Sequence, residues 1–346
     1  MHRKSDFGWP GPQETFQTSD GANANRVGPD GQTVGLFKNS PQAFPGYTLF
    51  APKHHTLIYL IDNQGRAVHQ WKSQYEPGQS VYLLENGHLL HCCFTRNKGF
   101  TRGGEGGRLE EFDWDGNLVW EFEYSSDKYL SHHDVKPLPN GNILMLAVEK
   151  KSYEECLAAG FDPGMLRDEQ LFPEHIIEVQ PTRPKGGQIV LSARGCNEIW
   201  VIDHSTTTKE AAGHTGGKGG KPFGPQRPVW KYQAKNPTDF YSSEISGAHR
   251  LPNGNTLICA GVRGVFFEIT PAGETVWEYV NPVVHDGVLA QGKRSGQEDE
   301  PTNTVFRAYR YPPDYPGLVG KDLTPGGKLE DVVTRQGEPG RPQRPQ

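Results

Sequence analysis

The sequence predicts an all-β fold assembled from a repeated four-stranded unit, and three observations predict it. Of 346 residues, 42 are glycine and 28 proline, aromatics make up 10% and the hydrophobic share is 34%. That balance suits many short strands joined by tight turns rather than long helices. Second, a turn signature returns along the chain in YLLENGHLL (82–90), KPLPNGNIL (136–144) and RLPNGNTLI (250–258), with a weaker copy in RPKGGQIVL (183–191). Asn-Gly between apolar runs is the strongest short-range hairpin signal, because both central residues of a type I′ turn need positive φ. Third, tryptophan keeps the same beat, closing IDNQGRAVHQW at Trp71, FDWDGNLVW at Trp120, RPVW at Trp230 and ITPAGETVW at Trp277.

Taken in order, each unit reads as a strand, an Asp-Gly-type turn, a strand ending in Trp, a loop, a strand, an Asn-Gly turn and a strand. From Asn86 to Asn140 is 54 residues and from Asn140 to Asn253 is 113, close to two further units with the weak copy between them. A four-stranded unit at this period is the blade of a β-propeller. Parallel β-helix repeats are much shorter, and a sandwich does not repeat its turn residues so regularly. About five repeats are visible between Tyr47 and Pro316. The expected organisation is an N-terminal extended segment over 1–45, the propeller over 46–317, and a Gly/Pro-rich tail over 318–346. One short helix interrupts the strands at KSYEECLAAGFDPG, where Ser152 and Glu155 can form a capping box and Gly160 supplies the stop.

The charge balance, 36 basic against 41 acidic residues, gives a net charge of −5 with no basic block, which argues against a nucleic-acid partner. No apolar run reaches the ~20 residues that span a bilayer, and MHRKSDFGWPGPQ has no apolar core of a signal peptide. The chain as given therefore reads as cytoplasmic and without a membrane partner, or as periplasmic if its N-terminus is truncated; its oligomeric state is left open. Five cysteines, two of them adjacent, suit buried free thiols better than a disulfide framework or a metal site. With no P-loop, no GxGxxG with an acidic partner and no GxSxG, nucleotide-dependent and serine-hydrolase chemistry have no support, and no cofactor or metal is expected.

The candidate site residues are mostly histidines. His132 and His133 open a repeat strand with Asp134 beside them; one can serve as a base or ligand, or be satisfied by a backbone carbonyl, and alternation along the strand is expected to bring only one into a site. Arg194 lies in an apolar strand, which calls for an anion or a carboxylate such as Glu198 or Asp203. His204 and His214 flank Ser-Thr-Thr-Thr and glycine-rich backbone, either an anion cradle or a connecting turn. His249 lies four residues before Asn253, the phase of Lys136 before Asn140, so packing competes with a role as a substitute nucleophile.

The phrases GYTLFAP, IDNQGRAVHQW, HHDVKPLPNGNIL, SARGCNEIWVIDHSTTTKEAAGHTGG, SGAHRLPNGNTLI and VFRAYRYPPDYPGL together resemble the bacterial arylsulfotransferase family over residues 33–320. That resemblance implies a six-bladed propeller. It also implies transfer of a sulfuryl group from a phenolic sulfate ester to a phenol through a sulfated histidine, without a nucleotide donor. On it, His132 and His133 match the family's first active-site histidine position and Arg194 its sulfate-holding arginine; together with the residue reading above, His133, Arg194 and His249 are the catalytic candidates and His132, His204 and His214 the substrate-binding ones. Two family stretches have no counterpart: a histidine-bearing segment between Gln180 and Gly187, and the segment with the nucleophile between Lys218 and Pro222. The competing expectation, of a different class, is a catalytically inactive propeller that binds a ligand or a protein.

Overall fold

The computed structural model describes residues 16–18, 27–100, 103–162, 164, 170–194, 230–236, 240, 242–285, 287–293 and 302–331, with residues 191–194 described by their backbone. The architecture is the expected all-β, propeller-like one. Four antiparallel sheets of at least four strands stand out among the described residues.

The first blade runs, from its inner edge outwards, Val305–Tyr311, Tyr47–Pro52, Leu57–Ile61 and Ala67–Lys72. The second runs Pro77–Leu83, Leu89–Phe94, Gly107–Phe112 and Leu118–Glu123. The third runs Tyr129–Pro137, Ile143–Glu149, Glu174–Pro181 and Gly187–Arg194. The last runs Ser246–Arg250, Thr256–Ala260, Val265–Ile269 and Thr275–Val280. Because the first blade takes its inner strand from the C-terminal part of the chain, the ends of the repeat array are stitched together within one sheet, which leaves no open edge there.

The packing reaches past both boundaries read from the sequence. Gly35–Asn39 is a strand added to the outer edge of the last blade, so part of the 1–45 segment belongs to a blade. Beyond residue 317, Leu318 and Leu329 are buried in two hydrophobic clusters, and Gly326 donates its N–H to the Ala67 carbonyl at 2.7 Å. The expected helix is present as Tyr153–Ala158, with the reciprocal Ser152/Glu155 capping box in place.

The repeated turns are real hairpins of another type. Leu84 N–H donates to His88 O and Gly87 N–H to Leu84 O, and the same pair of bonds recurs at Leu138/Asn142 and Leu251/Asn255. Only the glycines, Gly87, Gly141 and Gly254, have positive φ; the preceding asparagines do not. This is a type I turn closed by a glycine bulge rather than the type I′ turn the dipeptide suggests. The asparagine is used for its side chain: Asn86, Asn140 and Asn253 each accept, through Oδ1, the N–H two residues on, at 3.0 to 3.1 Å.

The tryptophans link neighbouring blades. Trp71, Trp120 and Trp277 are almost fully buried. The indole N–H of Trp71 donates to Asp113 O of the second blade, that of Trp120 to Gly186 O of the third, and that of Trp277 back to Asn63 O of the first. Each acceptor lies in the outer turn of the following blade, so a side chain at one outer strand fixes the position of its neighbour. Trp230, just before the short strand Tyr232–Ala234, makes the same contact to Pro271 O of the last blade. That short strand pairs in parallel with Phe16–Thr18.

A buried ion pair reinforces the junction of first and last blades. Arg310, fully enclosed, donates to Glu268 Oε2 at 2.9 Å, Phe44 O at 3.0 Å and Thr48 Oγ1 at 2.9 Å, and its guanidinium stacks over Trp277 at 4.2 Å.

Candidate functional site

The inner strands of the first, second and third blades all lose their regular register at the same level. Gly78, Gln79 and Ser80 stand opposite Cys92 alone, His132, His133 and Asp134 opposite Leu146 alone, and Phe306 and Arg307 opposite Ala51. Such bulges release side chains from strict alternation and re-aim them. Their consequence corrects the expectation that His132 and His133 point to opposite faces: the two rings are 4.4 Å apart, with Nδ1 of one 2.6 Å from Nδ1 of the other.

The protonation of this pair follows from its partners. His132 Nε2 lies 3.1 Å from the Gly103 carbonyl, which can only accept, so in the neutral ring Nε2 carries the proton and Nδ1 holds a lone pair. Nδ1 of His133 must then donate to it, which leaves the lone pair of neutral His133 on Nε2. Burial, and next the neighbouring His132, lower the pKa of His133 from 6.5, so that free lone pair is present at neutral pH. Gly104, at φ +92°, makes room for the pair: a Cβ there would come within 2.6 Å of the His132 ring and 3.1 Å of His133 Nδ1.

Beside the histidines lies a network of groups from three blades. Arg307 donates to Asp134 Oδ2 at 2.5 Å, the hydroxyls of Tyr82 and Tyr309 are 2.9 Å apart, and Tyr82 reaches Asp134 Oδ1 at 3.5 Å. The Tyr309 hydroxyl also accepts from Arg307 at 3.4 Å. Burial works against the charge on Arg307, but Asp134 outweighs it and the pKa rises. Burial and Asp134 together push Tyr82 well above the usual phenol range, so Tyr82 is a neutral donor throughout the physiological range.

Two cavities adjoin this network. One of about 240 Å³ is lined by Ser246, Gly247, Ala248, Arg307, Ala308 and Tyr309. The other, about 280 Å³, has an apolar wall of Phe100, Leu130, Val148 and Phe172, with His132, Glu105 and Glu174 at its polar side. Its size and lining suit a single aromatic ring. Burial raises the pKa of Glu105.

Of the sequence candidates, His132 and His133 are brought together. His249 belongs to the regular part of its strand, paired with Leu257 next to the turn. Its Nδ1 accepts the Arg310 N–H at 3.3 Å and its ring meets Tyr309 edge-on. Burial, then Arg310 and Lys136, lower its pKa. Arg194 lies on the outer strand of the third blade, paired with His175; its side chain, His204 and His214 are outside the described residues. Sequence reasoning missed Arg307, Tyr309 and Tyr82. The available signal was the Arg-x-Tyr alternation in VFRAYRY, which places two polar side chains on one face of a buried strand.

No family model and no curated protein matches the chain. Among solved structures, a protein of unknown function from Bacteroides caccae is similar at 14% identity, over 73% of this chain and 78% of that one, with a TM-score of 0.26.

Proposed function

We propose that the central cluster transfers a sulfuryl group from a phenolic sulfate ester to a phenolic acceptor, with His133 as nucleophile. The observation that carries the reading is the histidine pair, whose hydrogen bonds leave Nε2 of a neutral His133 with its lone pair. In the first step Nε2 attacks sulfur, an N–S bond forms, the S–O(aryl) bond breaks, and the phenolate leaves with the electron pair. The positive charge that develops on the imidazole is shared through Nδ1–H to His132 Nδ1. In the second step the acceptor oxygen attacks sulfur, the N–S bond breaks with its electron pair returning to Nε2, and the acceptor's proton goes to solvent, from which the departed phenolate takes its own.

A transition state of this loose kind is helped chiefly by positioning and by charge on the equatorial oxygens. Arg307 supplies a planar donor fork and Tyr309 a hydroxyl close to the pair, while the apolar cavity beside His132 accommodates the ring. Arg194 and His249 are then not required for the first step.

A second reading, a propeller that binds neutral phenols without reacting, is favoured by one specific observation. Asp134 already neutralises Arg307, and Glu105 and Glu174 face the aromatic cavity, an arrangement that opposes an anionic ester.

The experiment is incubation with p-nitrophenyl sulfate and excess phenol, following nitrophenol release and the intact mass for a sulfuryl adduct. Release and an adduct that both disappear in His133→Ala and survive in His249→Ala support transfer. An adduct that disappears only in His249→Ala moves the nucleophile. Phenol binding without release, unchanged in Asp134→Asn, establishes the second reading.

A further inference from the structure

Between the first and second blades, away from the central cluster, lies a buried group that sulfuryl transfer does not use. His91 and Cys93 are fully enclosed and Glu110 is 3% exposed. His91 and Cys93 lie on the strand Leu89–Phe94 and point to the same side of it. Glu110 sits directly opposite His91 on the neighbouring strand. His91 Nδ1 is 3.3 Å from Cys93 Sγ and 3.9 Å from Glu110 Oε2, and the three ligand atoms lie within 4.8 Å of one another.

A hydrogen-bonded network accounts for only part of this group. Glu110 is well held: Oε1 accepts from Arg108 Nε at 3.0 Å and Oε2 from Ser73 Oγ at 2.7 Å, the latter from the first blade. His91 is not. Its Nε2 is buried without a partner, and Nδ1 has a thiol as its hydrogen-bond neighbour, with the carboxylate beyond hydrogen-bonding distance. A thiol is a weak partner for a fully enclosed imidazole, and the nitrogen it leaves underused is Nδ1, the one that faces Cys93 and Glu110; Nε2 is unpaired with or without a further occupant.

The spacing suits a different occupant. With metal–sulfur bonds near 2.3 Å and metal–nitrogen and metal–oxygen bonds near 2.0 Å, tetrahedral zinc sets its ligands about 3.5 Å (S···N) and about 3.3 Å (N···O) apart. The observed S···N separation of 3.3 Å is close to the first value, and the N···O separation of 3.9 Å exceeds the second by about 0.6 Å, so coordination needs a side-chain rotation that draws the carboxylate in. Charge also balances, because one thiolate and one carboxylate cancel a divalent cation in a dry interface. The partners of Glu110, Arg108 and Ser73, act as the outer shell that aims the carboxylate.

We propose that His91 Nδ1, Cys93 Sγ and Glu110 Oε2 form a zinc site that staples the second blade beside Ser73 of the first. Nε2 keeps the ring proton, and Cys93 gives up its thiol proton to solvent when the metal enters. Cys92 takes no part: its side chain alternates to the other face, where Sγ lies 3.4 Å from Ser80 Oγ. The site departs from the sequence expectation that these cysteines do not bind metal, because Glu110 joins them only through strand pairing. It is independent of the proposed sulfuryl transfer.

The test uses the full chain expressed in zinc-supplemented and, separately, cobalt-supplemented medium, so that metal can enter during folding. About one metal per chain is expected, with a thiolate-to-cobalt absorption band and an X-ray absorption spectrum that reads one sulfur and two or more nitrogen or oxygen ligands. Cys93→Ser should lose the band and Cys92→Ser should keep it. A wild-type chain without bound metal, or one whose metal has no sulfur ligand, overturns the proposal, and that result needs no variant to fold. A band that survives in Cys93→Ser overturns it as well.

Discussion

Arg310 and Glu268 offer a sharp test of how the first and last blades are held together. Both side chains are completely buried, and burial lowers the pKa of Arg310 from 12.5 to about 10 even with Glu268 beside it. A shift of that size means that the folded protein disfavours the charged guanidinium by about 3 kcal/mol relative to the unfolded chain. Glu268 therefore offsets only part of the cost of burying this guanidinium. Arg310→Met removes the cation, its bonds to Phe44 O and Thr48 Oγ1, and the stacking on Trp277, and leaves Glu268 as a buried anion. Glu268 still accepts from Phe44 N at 2.7 Å and Asn255 Nδ2 at 2.6 Å, which limits the damage. The expected loss is about 3 to 5 kcal/mol. Adding Glu268→Gln to Arg310→Met removes the stranded charge and should restore most of that loss. Urea unfolding of the wild type, both single variants and the double variant measures the cycle. A double variant as unstable as Arg310→Met, or a single variant within about 0.5 kcal/mol of wild type, would refute the view that the stranded carboxylate dominates.

Three further outcomes follow from particular contacts. Trp120→Phe keeps the ring in the core but removes the N–H bond to Gly186 O at 2.8 Å; a loss of about 1 to 3 kcal/mol in denaturant unfolding is expected, and a neutral result would remove the blade link. Gly104→Ala places a methyl group against both site histidines at a positive φ, so turnover or ligand binding should fall at least about tenfold while Tm drops by only a few degrees; unchanged function would detach the pair from the site. Stability should fall as pH is lowered through 6.5, because His54, His55, His69, His133 and His249 all have folded pKa values below 6.5, so the unfolded chain binds more protons there. Glu105 and Glu330, raised above 4.5 by burial, act in the opposite sense, but they are two carboxyls against five imidazoles. A Tm that is flat or rising from pH 6.5 to 5 would contradict the histidine assignment.

The blade repeat was legible in the sequence because its marks are local. A glycine that must take positive φ, an asparagine that caps the N–H two residues on, and a Trp within an outer strand are fixed within about ten residues of chain. The turn type was not legible, since Asn-Gly serves both a type I′ turn and a type I turn with a glycine bulge, and the strands around it choose. The site was legible in half. His132 and His133 could be named, but the bulge that turns both rings together depends on how Ser131 and Val135 pair with the neighbouring strand. The Arg-x-Tyr alternation marked Arg307 as a polar residue on a buried strand, but its partner, Asp134, lies 173 positions away on another blade.

By itself, then, the sequence determined the all-β class, the four-stranded unit and the inserted helix, all of which rest on short-range backbone and capping preferences. Only the tertiary structure decided the register breaks of the inner strands, the tryptophan contacts between blades, the placing of the site histidines beside Arg307 and Asp134, and the meeting of His91, Cys93 and Glu110. These depend on which strands become neighbours when the blades pack together, and that adjacency is set by contacts between distant parts of the chain rather than by any one segment of it.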